Sequence, residues 1–445
     1  MLKAGIAIVD ISPEKGIGLA GYPHHPRLNT GIHDPLFASC LFLDNGKEKI
    51  EIICMDLVMY PKDSVKRVRN AIEKATGVPG RNIMICCSHT HSGPWASPQI
   101  DLDAVGSQIE PDPLYVEKLR EKLIAIGIAA VQNTFDASIG IDRSFCGKEK
   151  GIGGNRRNPN EIADPEVWVI GVKDSTGALR VCLAKYALHP TFIHSDSFLV
   201  SADYPGYIRK HIAEAFPNAV FLFAQGTSGN QSPRFFRVGK TFSEAERAGR
   251  TIGDSVLEAL AAMEYSNLVE LGCLSEDVDI ATRTLPPLPA AEAAVIKYKT
   301  LWEEKKRTST VERDIWIAEL KFLGAESTLA YTKLNAQGKT LPRMDDVLCE
   351  VQVFTIGGTR IVGLPGEIFV EFGLTIQYRA PFSKCFVIEL SNGCLPGYAC
   401  TAKAYAEGGY EAWTSMLSSE SGDQLVDAAV RLLKNSAKGE MYEQQ

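Results

Sequence analysis

The sequence predicts an α/β protein, with mixed β-sheets and flanking helices. Three observations lead there. Short apolar runs bounded by turn residues recur at 50–55, 83–87, 181–188 and 219–224, and they have the length of buried strands. Amphipathic stretches with helix start and stop signals lie between them, so strands and helices alternate along the chain. Several turns that follow these runs carry a polar residue beside Gly or Pro, as at His89, His189 and Glu367. In α/β sheets, ligand sites gather where strands end.

The 445 residues are 45% hydrophobic and 23% charged, an ordinary globular composition. The length allows one large domain or two to three ordinary ones. A net charge of -7, with no basic cluster interleaved with aromatics, argues against nucleic acid as a partner. No apolar stretch approaches the ~20 residues that span a bilayer. The first ten residues carry one lysine and an apolar run broken by Asp10, which reads as a strand and not as an export signal. Eleven cysteines, mostly in apolar runs and without a CxxC pair, read as buried reduced thiols. That is the pattern of a cytoplasmic protein.

In chain order, residues 6–11 make a first strand, and 16–31, rich in Gly, Pro and His, a surface loop. Strands at 37–43 and 50–55 join through Asp44-Asn45-Gly46, a hairpin signal. A helix follows, with Ser64 as cap, Val65, Val68, Ile72 and Ala75 on one face, and Gly77 as stop. The strand at 83–87 leads into His89 and His91. Residues 95–111 read as irregular. Asp112-Pro113 starts a second helix with Val116, Leu119, Leu123, Ile126 and Ala130 inward. Residues 136–188 read as strands around a Gly/Asn/Arg-rich loop at 151–160. A helix at 204–215, a strand at 219–224 and a helix from a Ser243–Glu246 capping box to about 263 come next. Residues 284–342 are charged and helix-forming. They read as two or three helices packed outside the main sheet, in preference to a lid. A strand pair at 347–361, an amphipathic segment through 372, a strand at 385–390, a Gly/Tyr-rich stretch at 396–410 and a last helix at 421–434 complete the chain. The polar tail from 438 reads as frayed.

The stretch Ser88-His89-Thr90-His91-Ser92-Gly93-Pro94 organises the functional reading. Two histidines at i and i+2 leaving a strand point to the same side, so one site can receive both imidazoles. Polar residues recur at other strand ends and turns: His189, Ser232, Glu367 and Tyr398. Two histidines, a carboxylate and an oxygen donor make a zinc shell with a position left for water, and their wide separation in the chain suits a catalytic site.

The same stretch resembles the THTHSGP signature of the neutral (non-lysosomal) ceramidase family. The resemblance runs along nearly the whole chain: Ala4 to Pro13, Tyr186-Ala187-Leu188-His189-Pro190-Thr191, Ser201-Ala202-Asp203-Tyr204-Pro205-Gly206-Tyr207, Phe223-Ala224-Gln225 followed by Gly229-Asn230-Gln231-Ser232-Pro233, Pro365-Gly366-Glu367, Gly397-Tyr398 and Tyr410-Glu411. It implies one catalytic domain over 1–445, with a helical insertion or subdomain at about 284–342. It implies Zn2+ held by His89, His189, Glu367 and Tyr398. His91 and Tyr410 are then expected at the scissile amide and Ser232 close to the metal. An arginine reaching the substrate is assigned to Arg143, with Arg156 as its competitor. The implied activity is hydrolysis of an N-acyl amide bond in a small-molecule or lipid substrate, by attack of zinc-activated water. Zinc lowers the pKa of such a water to ~7. A zinc-dependent esterase or lactone hydrolase is the alternative, and a non-catalytic protein on the same fold a third.

The resemblance stops at several places. The family's export signal and C-terminal β-sandwich domain are not visible in this sequence. Asp203-Tyr204-Pro205 stands for D-N-K, and Arg234 for the asparagine after S-P. Ceramide is therefore one candidate substrate among N-acyl compounds. His24 and His25 are expected on a surface loop, His194 on a solvated one, His211 at an exposed helical position and Cys86-Cys87 in strand packing.

Overall fold

The computed structural model describes residues 1–101 and 107–443. Apolar alternation and turn chemistry produce two sheets. The larger has eight strands: β1 (Lys3–Asp10), β2 (Phe37–Asp44), β3 (Lys49–Met55), β4 (Ile83–Cys87), β5 (Thr134–Phe145), β6 (Glu166–Asp174), β7 (Leu179–Tyr186) and β8 (Val220–Gln225). Their order is β8-β7-β6-β5-β1-β2-β3-β4. The inner pairs are antiparallel, while β3/β4 and β7/β8 at the two edges are parallel. Parallel neighbours require a crossover, and here helices supply it. The smaller sheet orders β9 (Leu271–Asp279), β10 (Leu348–Ile356), β11 (Thr359–Gly363) and β12 (Lys384–Ile388).

The two sheets face each other across one apolar layer. Leu41, Met84, Trp168 and Leu222 of the first sheet meet Phe354, Ile361 and Phe386 of the second, and Trp168 stacks on Phe386 at 5.1 Å. Helices cover the outer faces. α1 (Lys62–Thr76) and α2 (Pro113–Gln132) pack on the β1–β4 half. α3 (Tyr204–Ala215) and α4 (Phe242–Ala262) pack on the β6–β8 half. The smaller sheet carries α7 (Val370–Arg379) and α10 (Ser421–Glu443). The result is a four-layer α/β/β/α arrangement, in which each sheet buries both faces.

Local signals explain most boundaries. Gly46 turns the β2–β3 hairpin with φ 87, its N–H donating to Asp44 Oδ1 at 2.7 Å. Gly77 ends α1 in the left-handed conformation. The Asp112 carboxylate caps α2 by accepting from Tyr115 N at 2.8 Å. Two expected caps move. α1 begins at Pro61 without a side-chain cap, and α4 is capped by Thr241, which accepts from Glu244 N at 3.3 Å. In the 95–111 region, Gln99–Asp101 and Ser107–Ile109 pair as a short ribbon, and 102–106 lie outside the described residues. The last helix runs past the expected stop at 434 to Glu443.

The segment at 284–342 forms two helices, α5 (Leu288–Thr308) and α6 (Glu312–Ala336), joined by a short turn. Trp302 stacks on Phe322 between them at 5.3 Å. The segment does more than pack outside the sheet. α6 lies along α9 (Tyr410–Thr414), which follows α8 (Ala402–Glu407), and it walls a cleft described below. No described helix is long and apolar enough to cross a membrane. All eleven cysteines are free, and Cys86 and Cys87 are buried in β4 as strand packing requires.

One buried carboxyl sets a pH dependence for the fold. Glu51 on β3 is fully enclosed, with Cys40 Sγ donating to it at 3.7 Å. Burial pushes its carboxyl up to about 8, against the lowering effect of the Cys40 bond. The folded chain keeps Glu51 protonated while the unfolded chain ionises it near 4.5. Its contribution is fully present below the unfolded pKa and is lost, by ~1.4 kcal/mol per pH unit, as pH rises toward 8. Glu51→Gln is expected to flatten the stability-versus-pH curve between pH 5 and 8. Relative to the native chain it should gain on the order of 2–4 kcal/mol at pH 8. Denaturant unfolding across that range checks this.

Candidate active site

The site assembles where the parallel edges of the large sheet end. After β4, the N–H of Ser88 donates to Met55 O at 2.9 Å and that of His89 to Leu57 O at 2.8 Å. This continues the β3/β4 pairing past the strand and pins His89 in the left-handed region with φ 69. A non-glycine residue there costs about 1–3 kcal/mol and persists only when its surroundings enforce it. After β7, His189 N donates to Gln231 O at 3.0 Å. Glu367 and Tyr398 sit opposite each other on a two-residue parallel ribbon, Glu367–Ile368 with Tyr398–Ala399.

Backbone carbonyls fix both imidazoles. His89 Nδ1 lies 2.7 Å from Val58 O, and His189 Nδ1 lies 2.8 Å from Ser228 O and 3.1 Å from Gln231 O. A carbonyl only accepts, so each Nδ1 carries the proton and each Nε2 presents a lone pair. Those two Nε2 atoms are 3.1 Å apart, and Glu367 Oε1 lies 2.9 Å from one and 3.2 Å from the other. Three acceptors at these distances repel unless one proton or one cation sits among them. Nitrogen and oxygen ligands on one zinc stand ~3.3 Å apart in tetrahedral geometry, close to the edges of this triangle. Burial favours neutral forms at all three. The two imidazoles nonetheless outweigh it and hold the Glu367 carboxyl well below its usual range. Burial and Arg156 push His189 down to about 3. The donor set therefore fits a metal ion. Among the described residues, His89, His91 and His189 also form a buried group whose ligand atoms lie within 4.8 Å of one another.

A second layer holds these groups. Ser228 Oγ sits 3.2 Å from His189 Nδ1 and donates to Glu389 Oε1 at 2.6 Å. Glu389 Oε2 accepts from Ile368 N at 2.7 Å, beside Glu367. Glu389, which the sequence motifs do not single out, lies behind His189 and Glu367 in the candidate site. Its signal was an acid closing the apolar run at 385–388.

His91 is different from its neighbours. It is buried, its ring centroid is 4.9 Å from that of His89, and neither ring nitrogen has a hydrogen-bond partner. Burial, then the neighbouring His89 and His189 imidazoles, which disfavour a further positive charge, hold it well below its usual value, so it is neutral. It faces a cavity of about 170 Å3 with Ser232, Arg156, Tyr398 and Tyr410 in its walls. Tyr398 and Tyr410 have ring centroids 6.3 Å apart, and burial raises both hydroxyls so that they stay protonated. Ser232 Oγ accepts from Arg234 N at 3.3 Å. A second chamber of about 80 Å3 is lined by His89, His91, Glu367, Tyr398 and Tyr410.

Of the expected residues, the structure brings His89, His91, His189, Ser232, Glu367, Tyr398 and Tyr410 together. Arg143 is corrected. It lies in regular antiparallel pairing on β5 opposite Trp168, bonds Glu166 Oε1 at 2.6 Å and lines none of these chambers. Arg156 is the arginine in the cavity wall. It donates to Glu411 Oε1 at 2.8 Å and Gly229 O at 2.7 Å, with its guanidinium 5.3 Å from the Tyr398 ring. The loop at 16–31 reaches the surface, with His25 exposed, and Gly21, Tyr22, His24 and His25 also line the cavity, as does His194. Arg27 buries itself to tie this loop down, donating to His91 O at 2.6 Å and Ala20 O at 2.8 Å. His33 stacks on Phe242 at 3.6 Å, away from the site. His211 is half-buried and bonded to Asp254 at 2.8 Å. The opposite wall comes from α6, through Trp316, Glu319, Leu320 and Leu323.

Gly21 is confined twice. Its φ is +94, and a Cβ there would meet the His91 ring at 2.3–2.6 Å. Gly21→Ala is expected to displace His91 without unfolding the chain. The check is the His91 ring resonances by NMR, which should shift while the far-UV circular dichroism stays unchanged.

With this geometry in hand, comparison with known proteins is informative. No family model matches the chain. A neutral ceramidase from Pseudomonas aeruginosa is 25% identical over 255 residues, covering 52% of this chain and 37% of that protein. The match thus spans well under half of the curated relative. The crystal structure of neutral ceramidase from Pseudomonas aeruginosa superposes with a TM-score of 0.74 at 19% identity, covering 98% of this chain and 75% of that one. A ceramidase complexed with C2 gives a TM-score of 0.70 at the same identity and coverage. The chain has the neutral ceramidase fold, as the sequence motifs led one to expect.

Proposed function

We propose that this chain is a zinc-dependent hydrolase of N-acyl amide bonds, with 1–445 acting as one catalytic unit and the α5–α6 hairpin as a wall of its cleft. The observation that carries the reading is the triangle of His89 Nε2, His189 Nε2 and Glu367 Oε1, with both Nδ1 atoms committed to carbonyls. In this reading His89, His189 and Glu367 would hold the ion and Tyr398 would be a further ligand, with a position left for water. Zinc supplies Lewis-acid polarisation and acidifies water.

The chain's own groups supply the rest. His91 is neutral, has both ring nitrogens free and faces the cavity, so it can take a proton from the attacking water and return it to the leaving nitrogen. An amine leaves poorly without that proton, and this favours the amide over the ester reading. The Tyr410 hydroxyl stays protonated and can donate to a developing oxyanion. Arg156, held charged by the Glu411 carboxylate against the opposing effect of burial, adds a fixed positive charge beside it. Removing one such donor typically slows turnover ~100- to 1000-fold. Ser232 lines the same wall and orients the carbonyl end.

Two measurements test this reading. The purified protein is expected to bind one zinc per chain by elemental analysis and to cleave N-acyl amides. His89→Ala should lose both while still folding. A native protein without stoichiometric zinc, or one that cleaves esters but no amide, sinks the proposal. Separately, Arg156→Gln should lower kcat/KM by about 100-fold or more, and Arg143→Ala should stay within about twofold of native, as exposed ion pairs contribute little. Equal losses in the two would return the role to Arg143.

A further inference from the structure

The cavity wall beyond Ser232 carries a charge that a neutral lipid amide does not require. Arg234, Arg237 and Lys240 line the same chamber as His91 and Tyr410. Arg234 engages only through its backbone N–H, and Arg237 donates to Thr191 O. Among the described residues none of the three side chains is ion-paired. The acids nearby are engaged or exposed. Glu411 is taken by Arg156 and Arg157 at 2.8 and 2.9 Å. Asp203 accepts from Ile193 N and Tyr204 N at 2.8 and 2.6 Å, and Asp196 is exposed. Glu319, on the facing wall, is the one carboxylate among the residues lining this cavity, and it makes no ion pair. The wall therefore keeps a net positive charge.

That charge is felt inside the cavity. Burial, and then Lys240, Arg237 and Arg234, push the His194 imidazole down to about 2. Burial and the neighbouring Arg156 push Arg234 down to about 10, so it remains charged at neutral pH. Arg234 and Arg237 are part-buried and Lys240 is exposed at the rim, so the two guanidinium groups lose solvation and all three cations repel one another. An entering anion relieves both, and paired guanidinium groups match the planar fork of a carboxylate or the faces of a phosphate.

We propose that Arg234, Arg237 and Lys240 form an anion subsite. The substrate is then an N-acyl compound with an anionic group close to its amide. The substrate part rests on the hydrolase reading above, while the subsite does not.

The test compares three probes of equal acyl length on the zinc-loaded protein: N-hexanoylglycine, N-hexanoyl-O-phosphoethanolamine and the neutral N-hexanoylethanolamine. The native protein should cleave at least one anionic probe with kcat/KM about tenfold or more above the neutral one, as expected for hydrogen bonds to a charged group. Which anion is preferred separates carboxylate from phosphate. Arg234→Gln, and Arg234→Gln with Lys240→Gln, should reduce that preference to within about threefold while leaving turnover of the neutral probe in place. Equal turnover of all three by the native protein, or a preference unchanged in the variants, overturns the proposal. If no probe is cleaved, the hydrolase reading fails on its own, and binding followed by tryptophan fluorescence decides the subsite, since Trp316 lies in the cavity wall. Binding of an anionic probe weakened about tenfold in Arg234→Gln supports the subsite, and unchanged binding overturns it.

Discussion

Three lone pairs pointed at one another are the constraint on which this structure turns. His89 Nε2, His189 Nε2 and Glu367 Oε1 form a triangle with edges of 2.9–3.2 Å, buried away from water. Such an arrangement is unfavourable by itself, because buried acceptors without donors lose solvation and repel. It is held by bonds that cannot be traded. Val58, Ser228 and Gln231 carbonyls take both Nδ1 protons, so neither ring can rotate its tautomer out of the conflict. The left-handed backbone at His89 and the Ser228–Glu389 contact behind His189 belong to the same enforcement. A metal ion resolves the repulsion in a way that a single proton does only for one pair.

The four-layer fold gives this triangle its rigidity. His89 leaves β4 at one edge of the large sheet, and His189 leaves β7 beside the other edge. The two meet because the large sheet is curved around the apolar layer that it shares with the smaller sheet. Glu367 and Tyr398 come from turns beyond that smaller sheet. Each of these side chains thus hangs from a different strand end or turn, and displacing one means shifting a packed layer. The α6 helix closes the far side with Trp316, Leu320 and Leu323. The cavity has a rigid floor of packed histidines and a wall whose chemistry can vary without disturbing that floor.

Much of this was legible beforehand. The alternation of apolar runs and amphipathic segments led to a mixed α/β fold, and His89, His91, His189, Ser232, Glu367, Tyr398 and Tyr410 were all singled out from their turns and motif resemblance. What escaped had a physical reason in each case. Arg143 and Arg156 both sit in Asx-Arg dipeptides, but only the second directly follows the short ribbon Gly154–Asn155 that pairs with Gln231–Ser232. Pairing across some 75 positions of sequence leaves no local trace. The Gly- and His-rich loop at 16–31 has a surface composition, yet Arg27 folds it inward by reaching three separate segments. The α5–α6 hairpin has a surface helix's charge pattern, and nothing in its own periodicity reveals that one face meets a cavity.

The residue types that stand at strand ends, and the turns that present them, are legible in the sequence. Those are local properties, set by backbone preferences and side-chain type over a few residues. Which arginine enters the site, which helix walls it and where unpaired cations collect follow from the assembled fold. Such assignments depend on contacts between segments far apart in the chain. Burial and electrostatic balance belong to the assembled interior, and no single segment carries them.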